Sequence, residues 1–211
     1  MDKELRKTLR QAYAAQVGVR DARIIDPWKI AERDIFLDEL RKNGARSLLE
    51  VGAGTGQDAA FFAANGLDVL ATDLTEENVA ACKEKGLAAE VLDICDLYIS
   101  PESFDAVFSL NCLLHVPKSE FPVALANIRR TLKPNGFFYL GLYGGIDSEG
   151  IYEEDTYKPK RFFSFWDDEN LKRQLAPLFH LLRFHTVALE QGSDIHFQSL
   201  ILRKPSRLVP G

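Results

Sequence analysis

The sequence predicts an α/β fold in which strands and helices alternate and a two-stranded hairpin closes the chain. The apolar run at 48–51 leads into a Gly-X-Gly-X-Gly turn at 52–56, and the alanine- and phenylalanine-rich run 57–64 has helical composition. A second apolar strand at 67–72 ends in Asp73, about 20 residues past the glycines, where nucleotide-binding α/β units carry an acid for a ribose. Glycines there let the backbone approach a ligand, and the following helix start offers unpaired N–H groups. We therefore expect a ligand at this turn.

Two helices are predicted before the glycine turn. The first covers 3–16, where apolar residues recur on one face, and the second begins at Pro27, a favoured first helical residue, and ends at an Asn-Gly pair. This segment either packs against a sheet edge or forms a lid over the ligand. In the lid interpretation Tyr13, Trp28 or Arg33 would contact the ligand.

Strands and helices continue to alternate after Asp73. The sequence predicts further strands at 88–92, 104–110 and 137–143. The helices between them are expected to begin after Thr75 and Ser119, because serine and threonine side chains cap helix N-termini.

The last third of the chain begins with a break in this regularity. Residues 144–160 are polar and acidic, and we expect an irregular stretch that is either a solvated loop or a substrate lid attractive to a cationic substrate. An aromatic run follows Arg161, and a helix is predicted at 168–178. Strands at 180–190 and 195–203 then form the hairpin, with His185 and His196 expected to face solvent.

The spacing of the glycines separates two classes of ligand. A dinucleotide-binding turn has Gly-X-Gly-X-X-Gly, with a pyrophosphate beside it. Here Gly56 comes one residue early and Gln57 stands at the dinucleotide position, while Glu50 would place a negative charge near a pyrophosphate. An acid at that point suits a ligand that carries an ammonium and a sulfonium. The spacing favours S-adenosylmethionine over a nicotinamide or flavin dinucleotide.

Three stretches carry a resemblance to a known family. Residues 50–56, Glu-Val-Gly-Ala-Gly-Thr-Gly, resemble the Glu/Asp-X-Gly-X-Gly-X-Gly motif of class I S-adenosylmethionine-dependent methyltransferases. Residues 132–136, Leu-Lys-Pro-Asn-Gly, are similar to the Leu-Lys-Pro-Gly-Gly turn before strand five of that family. Residues 114–117, Leu-His-Val-Pro, resemble the loop after strand four in small-molecule members. The resemblance covers 28–203.

The resemblance implies both a fold and a reaction. The fold would be a doubly wound, mostly parallel sheet of seven strands, with helices on both faces and a C-terminal antiparallel hairpin. A single methyltransferase domain would span 1–211, divided into an N-terminal helical cap or lid, a cofactor-binding core, a substrate-side loop and a closing helix with hairpin, at 1–44, 45–143, 144–165 and 166–203. The reaction would be methyl transfer by in-line displacement from S-adenosyl-L-methionine, leaving S-adenosyl-L-homocysteine.

The resemblance also places a cofactor site at the carboxyl ends of the strands. Its expected residues are Glu50, Gly52, Ala53, Gly54, Asp73, Leu74, Asp93, Ile94 and Asn111. Asp73 would bind the ribose hydroxyls, Asp93 the adenine amino group and Asn111 the methionine end. On the substrate side we expect Tyr13, His115, Tyr143 and Arg161. His115 and Arg161 are the candidates for catalysis, although in-line transfer to an unprotonated acceptor needs no base.

Composition limits the partners and the setting. The net charge of -5 argues against a nucleic-acid substrate, which favours a basic face. The three cysteines and the absence of a signal-peptide core or an apolar run of bilayer length predict a cytoplasmic protein without membrane partners, and no metal-ligand spacing is visible.

No Asn-Pro-Pro-Tyr-like motif follows strand four, so we expect a small-molecule acceptor, of unknown identity, and the oligomeric state stays open. The alternatives are a non-catalytic cofactor-binding or regulatory protein, a protein or peptide methyltransferase, and an NAD(P)-dependent oxidoreductase.

Overall fold

A seven-stranded sheet forms the centre of the computed structural model, which describes residues 2–189 and 192–206. The strands of the chain are β1 (Ser47–Val51), β2 (Asp68–Asp73), β3 (Ala88–Val91), β4 (Phe104–Leu110), β5 (Leu132–Gly144), β6 (Ser148–Ile151), β7 (Phe162–Phe165), β8 (His180–Ala188) and β9 (His196–Arg203). The large sheet has the order β3-β2-β1-β4-β5-β9-β8, and β6 and β7 form a separate pair.

The pairing confirms the predicted mostly parallel sheet with a closing hairpin. Strands β1 to β5 run parallel to their neighbours, whereas β9 is antiparallel to both β5 and β8. The carboxyl ends of β1 to β5 therefore meet at one edge of the sheet, on either side of the point where the strand order reverses. Ligands of open α/β sheets bind in the crevice at such a point.

Six helices begin and end close to their predicted positions, and a short helix at 17–21 was not predicted. The helices are α1 (Lys3–Ala14), α2 (Val17–Asp21), α3 (Pro27–Lys42), α4 (Gln57–Ala64), α5 (Glu76–Glu84), α6 (Phe121–Thr131) and α7 (Asp168–Leu175). The Thr75 hydroxyl accepts a bond from the Asn78 amide and caps α5, as predicted. The expected cap at Ser119 is wrong, because a turn closed by Pro117 delays the start of α6 and leaves Glu120 at the N-cap position. None of the helices in the described ranges is long and apolar enough to cross a bilayer.

Consecutive apolar residues of the central strands supply two cores, one on each face of the sheet. Leu48 and Tyr139 are fully buried on the face covered by α3, α4 and α5, while Leu49 and Phe138 are fully buried on the face covered by α6 and α7. Side chains point to alternate faces along a strand, so a strand buried on both sides reads as a continuous apolar run. The predicted placement of helices on both faces is confirmed.

Two expectations about the C-terminal third are wrong. The polar stretch after β5 contains a strand, β6, which pairs in antiparallel fashion with the aromatic strand β7, and only 145–147 and 152–160 of the expected irregular stretch lie outside regular structure. The sequence of β6, Ser-Glu-Gly-Ile, has little intrinsic β-propensity, and its partner fixes its conformation. His185 and His196 are only 30% and 26% exposed in their side chains, because Glu32 of α3 and Asp168 of α7 accept hydrogen bonds from them at 2.6 and 2.9 Å.

Candidate active site

A cavity of about 400 Å³ lies at the edge where the parallel strands end. Its floor consists of residues at the ends of β1 to β5, and its roof consists of α1, α2, the segment between α2 and α3, and residues 156–163. The structure brings every predicted site residue except Gly54 to the wall of this cavity. They are Glu50, Gly52, Ala53, Asp73, Leu74, Asp93, Ile94, Asn111, Tyr13, His115, Tyr143 and Arg161.

The glycine turn between β1 and α4 needs its glycines for two reasons. Gly52 and Gly54 have φ angles of 75° and 55°, in the left-handed region that side chains with a Cβ disfavour. A Cβ on Gly52 would also overlap the side chain of Cys112, which follows β4. The turn is fixed to β2 through bonds from the Gly52 and Ala53 amides to the Thr72 carbonyl. The backbone consequently lies open to the cavity.

Asp73 is held at the end of β2 by four hydrogen bonds. Its Oδ1 accepts from the Thr75 amide and hydroxyl at 2.9 Å each and from Asn78 Nδ2 at 3.1 Å, and its Oδ2 accepts from the Gly54 amide at 2.9 Å. Three of the four bonds end on Oδ1, so Oδ2 is the less occupied oxygen. Within the described ranges Oδ2 makes only the Gly54 bond, so it retains capacity for a ligand hydroxyl at the cavity wall.

Glu50 is a buried acid with an unsatisfied oxygen. Its side chain is 3% exposed, and its Oε2 has no hydrogen-bond partner among the described residues. Burial, together with the nearby carboxylates of Asp58 and Asp73, raises the pKa of Glu50 well above its usual value. Arg33 pairs with Asp58 at 3.0 Å and does not reach Glu50 within bonding distance. A cationic ligand group in the cavity would satisfy Glu50 Oε2 and offset this repulsion.

Asp93 and Asn111 differ in whether their side-chain oxygens already have partners within the protein. Asp93 Oδ1 accepts from the Cys95 amide at 2.8 Å, while Oδ2 lies 2.7 Å from Arg6 Nε of α1 in an ion pair. Asn111 has a φ of 54°, and its Oδ1 is buried without a partner among the described residues. Its amide donates to the Gly141 carbonyl at 2.7 Å, which fixes the strained residue against β5. Asn111 therefore presents a free acceptor to the cavity, whereas Asp93 is shared with the roof.

Tyr13 of α1 and His115 of the loop after β4 form a buried pair on the opposite side of the cavity. His115 Nδ1 lies 2.7 Å from the Phe162 carbonyl, which can only accept, so Nδ1 carries the proton. His115 Nε2 must then accept the proton of Tyr13, whose hydroxyl lies 2.6 Å away. Burial lowers the pKa of His115 to about 3 and raises the pKa of Tyr13 to about 12. Both side chains are neutral at physiological pH.

Arg161 orients this pair and is itself fixed by an acid. Its Nη1 donates to the Tyr13 hydroxyl at 2.9 Å, and its Nε and Nη2 donate to the two oxygens of Asp155 at 2.9 and 2.8 Å. The guanidinium also lies 3.6 Å from the centre of the Tyr157 ring. Arg161 therefore acts on the cavity through Tyr13, and its charge is paired with that of Asp155.

Acids of the 144–160 stretch are engaged within the protein. Asp147 pairs with Lys118, Glu153 pairs with Lys160, and Asp155 pairs with Arg161. Three of the five acids in this stretch are thus compensated locally, whereas Glu149 and Glu154 accept hydrogen bonds from uncharged groups, so the attraction for a cationic substrate is weaker than the sequence indicates.

Sequence reasoning proposed two contacts that the structure does not make and missed several that it does. Trp28 packs against Phe197 at a ring separation of 4.6 Å, and Arg33 is bound to Asp58, so neither lines the cavity. Roof residues that were not predicted are Leu9, Arg20, Arg23, Ile24, Ile25, Lys29, Thr156 and Tyr157. No local pattern marks these residues, since they reach the cavity only through the packing of the roof on the strand ends.

The sequence is similar to known methyltransferases over the strands that form the floor of the cavity. Residues 49–140 match the family described as Methyltransferase domain. Phosphoethanolamine N-methyltransferase 2 of Caenorhabditis elegans is 26% identical over 171 residues, which cover 77% of this chain and 38% of that enzyme. The tRNA N(3)-methylcytidine methyltransferase trm140 of Schizosaccharomyces pombe is 30% identical over 135 residues, which cover 57% of this chain and 44% of that enzyme.

A solved structure has the same fold over nearly the whole chain. The 1,6-didemethyltoxoflavin-N1-methyltransferase of Burkholderia thailandensis, solved with bound 1,6-didemethyltoxoflavin and S-adenosylhomocysteine, has a TM-score of 0.73 and 22% identity. The match covers 96% of this chain and 90% of that one. By contrast, the chain spans less than half the length of the nematode and yeast relatives.

Proposed function

We propose that this chain, in which residues 49–140 match the methyltransferase domain and the whole has the class I fold, transfers a methyl group from S-adenosyl-L-methionine to a small-molecule nucleophile. One observation carries the proposal. One cavity brings the unsatisfied acid Glu50 and the glycine turn at the strand ends together with the Tyr13–His115 pair, which joins the roof helix α1 to the loop after β4.

The residues present fit this cofactor. Asp73 Oδ2, with its remaining acceptor site, would hold a ribose hydroxyl, and Asp93 with Ile94 would line the adenine. Glu50 and Asn111, whose Oε2 and Oδ1 have no partners within the described ranges, would receive the ammonium of the methionine end. When bound, S-adenosylmethionine supplies a strongly electrophilic methyl group on its sulfonium. A dinucleotide would instead place a pyrophosphate against Glu50, which does not fit.

The chain's own contribution to the reaction is orientation rather than strong base catalysis. With a pKa of about 3, the His115 imidazole is a weak base, and its Nε2 is already occupied by the Tyr13 proton. The Tyr13 oxygen, fixed by His115 and Arg161, would hold the acceptor. Such a site suits an acceptor atom that has a free lone pair at the working pH, because alignment alone then supplies much of the acceleration.

The size and cover of the cavity support a small acceptor. Its volume of about 400 Å³ lies within the usual range for small-molecule sites, and residues of α1, α2 and 156–163 line it opposite the strand ends. Methyl acceptors of several kinds occur among the relatives, as the names of the nematode and yeast enzymes say. The alternatives are a protein or peptide acceptor and a non-catalytic cofactor-binding protein.

The first experiment is calorimetric titration with S-adenosylmethionine, S-adenosylhomocysteine and NADH in parallel. We expect binding of the two sulfur nucleosides and none of NADH, and NADH binding alone would contradict the proposal. Release of S-adenosylhomocysteine is then followed with a panel of small amines and hydroxylated compounds. Turnover with one of them, but not with tRNA or with basic peptides, supports a small-molecule acceptor. Cofactor binding with no turnover on any of the three classes favours a binding protein.

A further inference from the structure

Arg20 of α2 differs from the other cations that line the cavity. Lys29 pairs with Asp26 at 2.8 Å, and Arg161 pairs with Asp155. Arg23 is exposed at the surface. Arg20 has no ion pair among the described residues, and its Nε is buried without a hydrogen-bond acceptor. Its guanidinium makes one long bond, from Nη1 to the Tyr157 hydroxyl at 3.4 Å.

The guanidinium of Arg20 lies between the glycine turn and the Tyr13 ring. Its Nη2 lies 3.1 Å from the place that a Cβ on Gly54 would take, so the guanidinium sits directly on the glycine turn. The Tyr13 ring lies 5.0 Å from Cζ and supports it from the roof. A guanidinium held over the glycine turn, with a buried Nε that has no acceptor and a single long bond from Nη1, is a site for a carboxylate or phosphate oxygen.

The cavity therefore contains two unsatisfied charges of opposite sign, the Glu50 carboxylate and the Arg20 guanidinium. An α-amino acid is the ligand that carries both complementary charges on one carbon. We propose that Arg20 binds the α-carboxylate of the cofactor's methionine end while Glu50 faces its ammonium. This inference rests on the proposed function and adds the residue that recognises the carboxylate.

The test compares two ligands that differ only in that carboxylate. S-adenosylmethionine and decarboxylated S-adenosylmethionine are titrated calorimetrically into the full chain and into Arg20→Met, Arg20→Lys and Lys7→Met. Lys7→Met is the matched control, because this substitution removes a cation from the same N-terminal segment at an exposed position outside the cavity. Thermal unfolding of each variant shows that it is folded.

We expect the unaltered chain to bind S-adenosylmethionine about 10- to 100-fold more tightly than the decarboxylated ligand, the range for a charge-assisted hydrogen-bonded pair. Arg20→Met should remove that preference by weakening S-adenosylmethionine alone, Arg20→Lys should retain part of it, and Lys7→Met should retain all of it.

Two outcomes would overturn the inference while leaving the proposed function intact. In one, Arg20→Met weakens both ligands by the same factor, which makes Arg20 a structural part of the roof. In the other, Arg20→Met changes neither affinity, which means that another group binds the α-carboxylate of the cofactor. If the unaltered chain binds neither ligand, the proposed function fails together with the inference.

Discussion

The buried imidazole of His115 makes the stability of the fold depend on pH by an amount that follows from its surroundings. In the unfolded chain the group titrates near 6.5, whereas in the folded protein burial lowers its pKa to about 3. Between these values the unfolded chain binds one proton more than the folded protein, so stability falls as pH falls. The full difference corresponds to about 4–5 kcal/mol, of which about 2 kcal/mol is lost by pH 5.

The perturbation is His115→Gln, and the assay is urea unfolding at pH 7.5 and pH 5. The unaltered chain should lose about 2 kcal/mol more between the two pH values than the variant loses, because the other titrating groups are common to both. His180→Gln is the control, since His180 is exposed at the start of β8 and should lose as much as the unaltered chain. Equal losses in the unaltered chain and in His115→Gln would refute the reasoning, because His115 would then titrate normally in the folded state.

Three further predictions concern the cavity. Asp73→Asn should weaken S-adenosylhomocysteine binding by about 1–3 kcal/mol, measured by calorimetry, and unchanged affinity in a folded variant would remove Asp73 from the ribose site. Because the free protein raises the pKa of Glu50 and a bound cation favours its ionised form, cofactor affinity should rise with pH through that pKa. Glu50→Gln should flatten this dependence, and a variant with the same slope as the unaltered chain would assign it to another group. Tyr13→Phe should reduce kcat about 10- to 100-fold while cofactor affinity changes little, because we propose that its hydroxyl holds the acceptor; a loss confined to cofactor binding would assign Tyr13 to the cofactor instead.

The strand-end half of the site could be predicted because its determinants are local in sequence. Glu50, the glycine turn and Asp73 each follow an apolar strand, and parallel strands bring their carboxyl ends to one edge. Asn135, which stands where the similar Leu-Lys-Pro-Gly-Gly turn has its first glycine, has a φ of 64°, in the left-handed region that glycine and asparagine tolerate best. Hairpin closure at the C-terminus was equally readable from two apolar runs joined by a short turn.

The roof could not be predicted to the same degree because its contacts join distant parts of the chain. Tyr13 and His115 are 102 residues apart, and Arg161 reaches Tyr13 across 148 residues. The sequence marks each of these residues as a candidate but contains no signal for the His115 tautomer, for the Asp155 pair or for the position of Arg20. Strand β6 shows the same limitation, since a polar tetrapeptide becomes a strand only through β7.

This division has a consequence for function. The residues proposed for the cofactor lie mostly at strand ends, where the fold fixes them through main-chain pairing, so a sequence motif is enough to identify the ligand class. The residues proposed for the acceptor lie in the roof, where α1, α2 and the β6–β7 sheet meet and where side-chain contacts alone set the geometry. Substitutions that repack the roof can therefore change the acceptor without disturbing the strand ends. Related chains with the same glycine turn should accordingly share the cofactor and differ in the acceptor. The names of two relatives of this chain do give different acceptors.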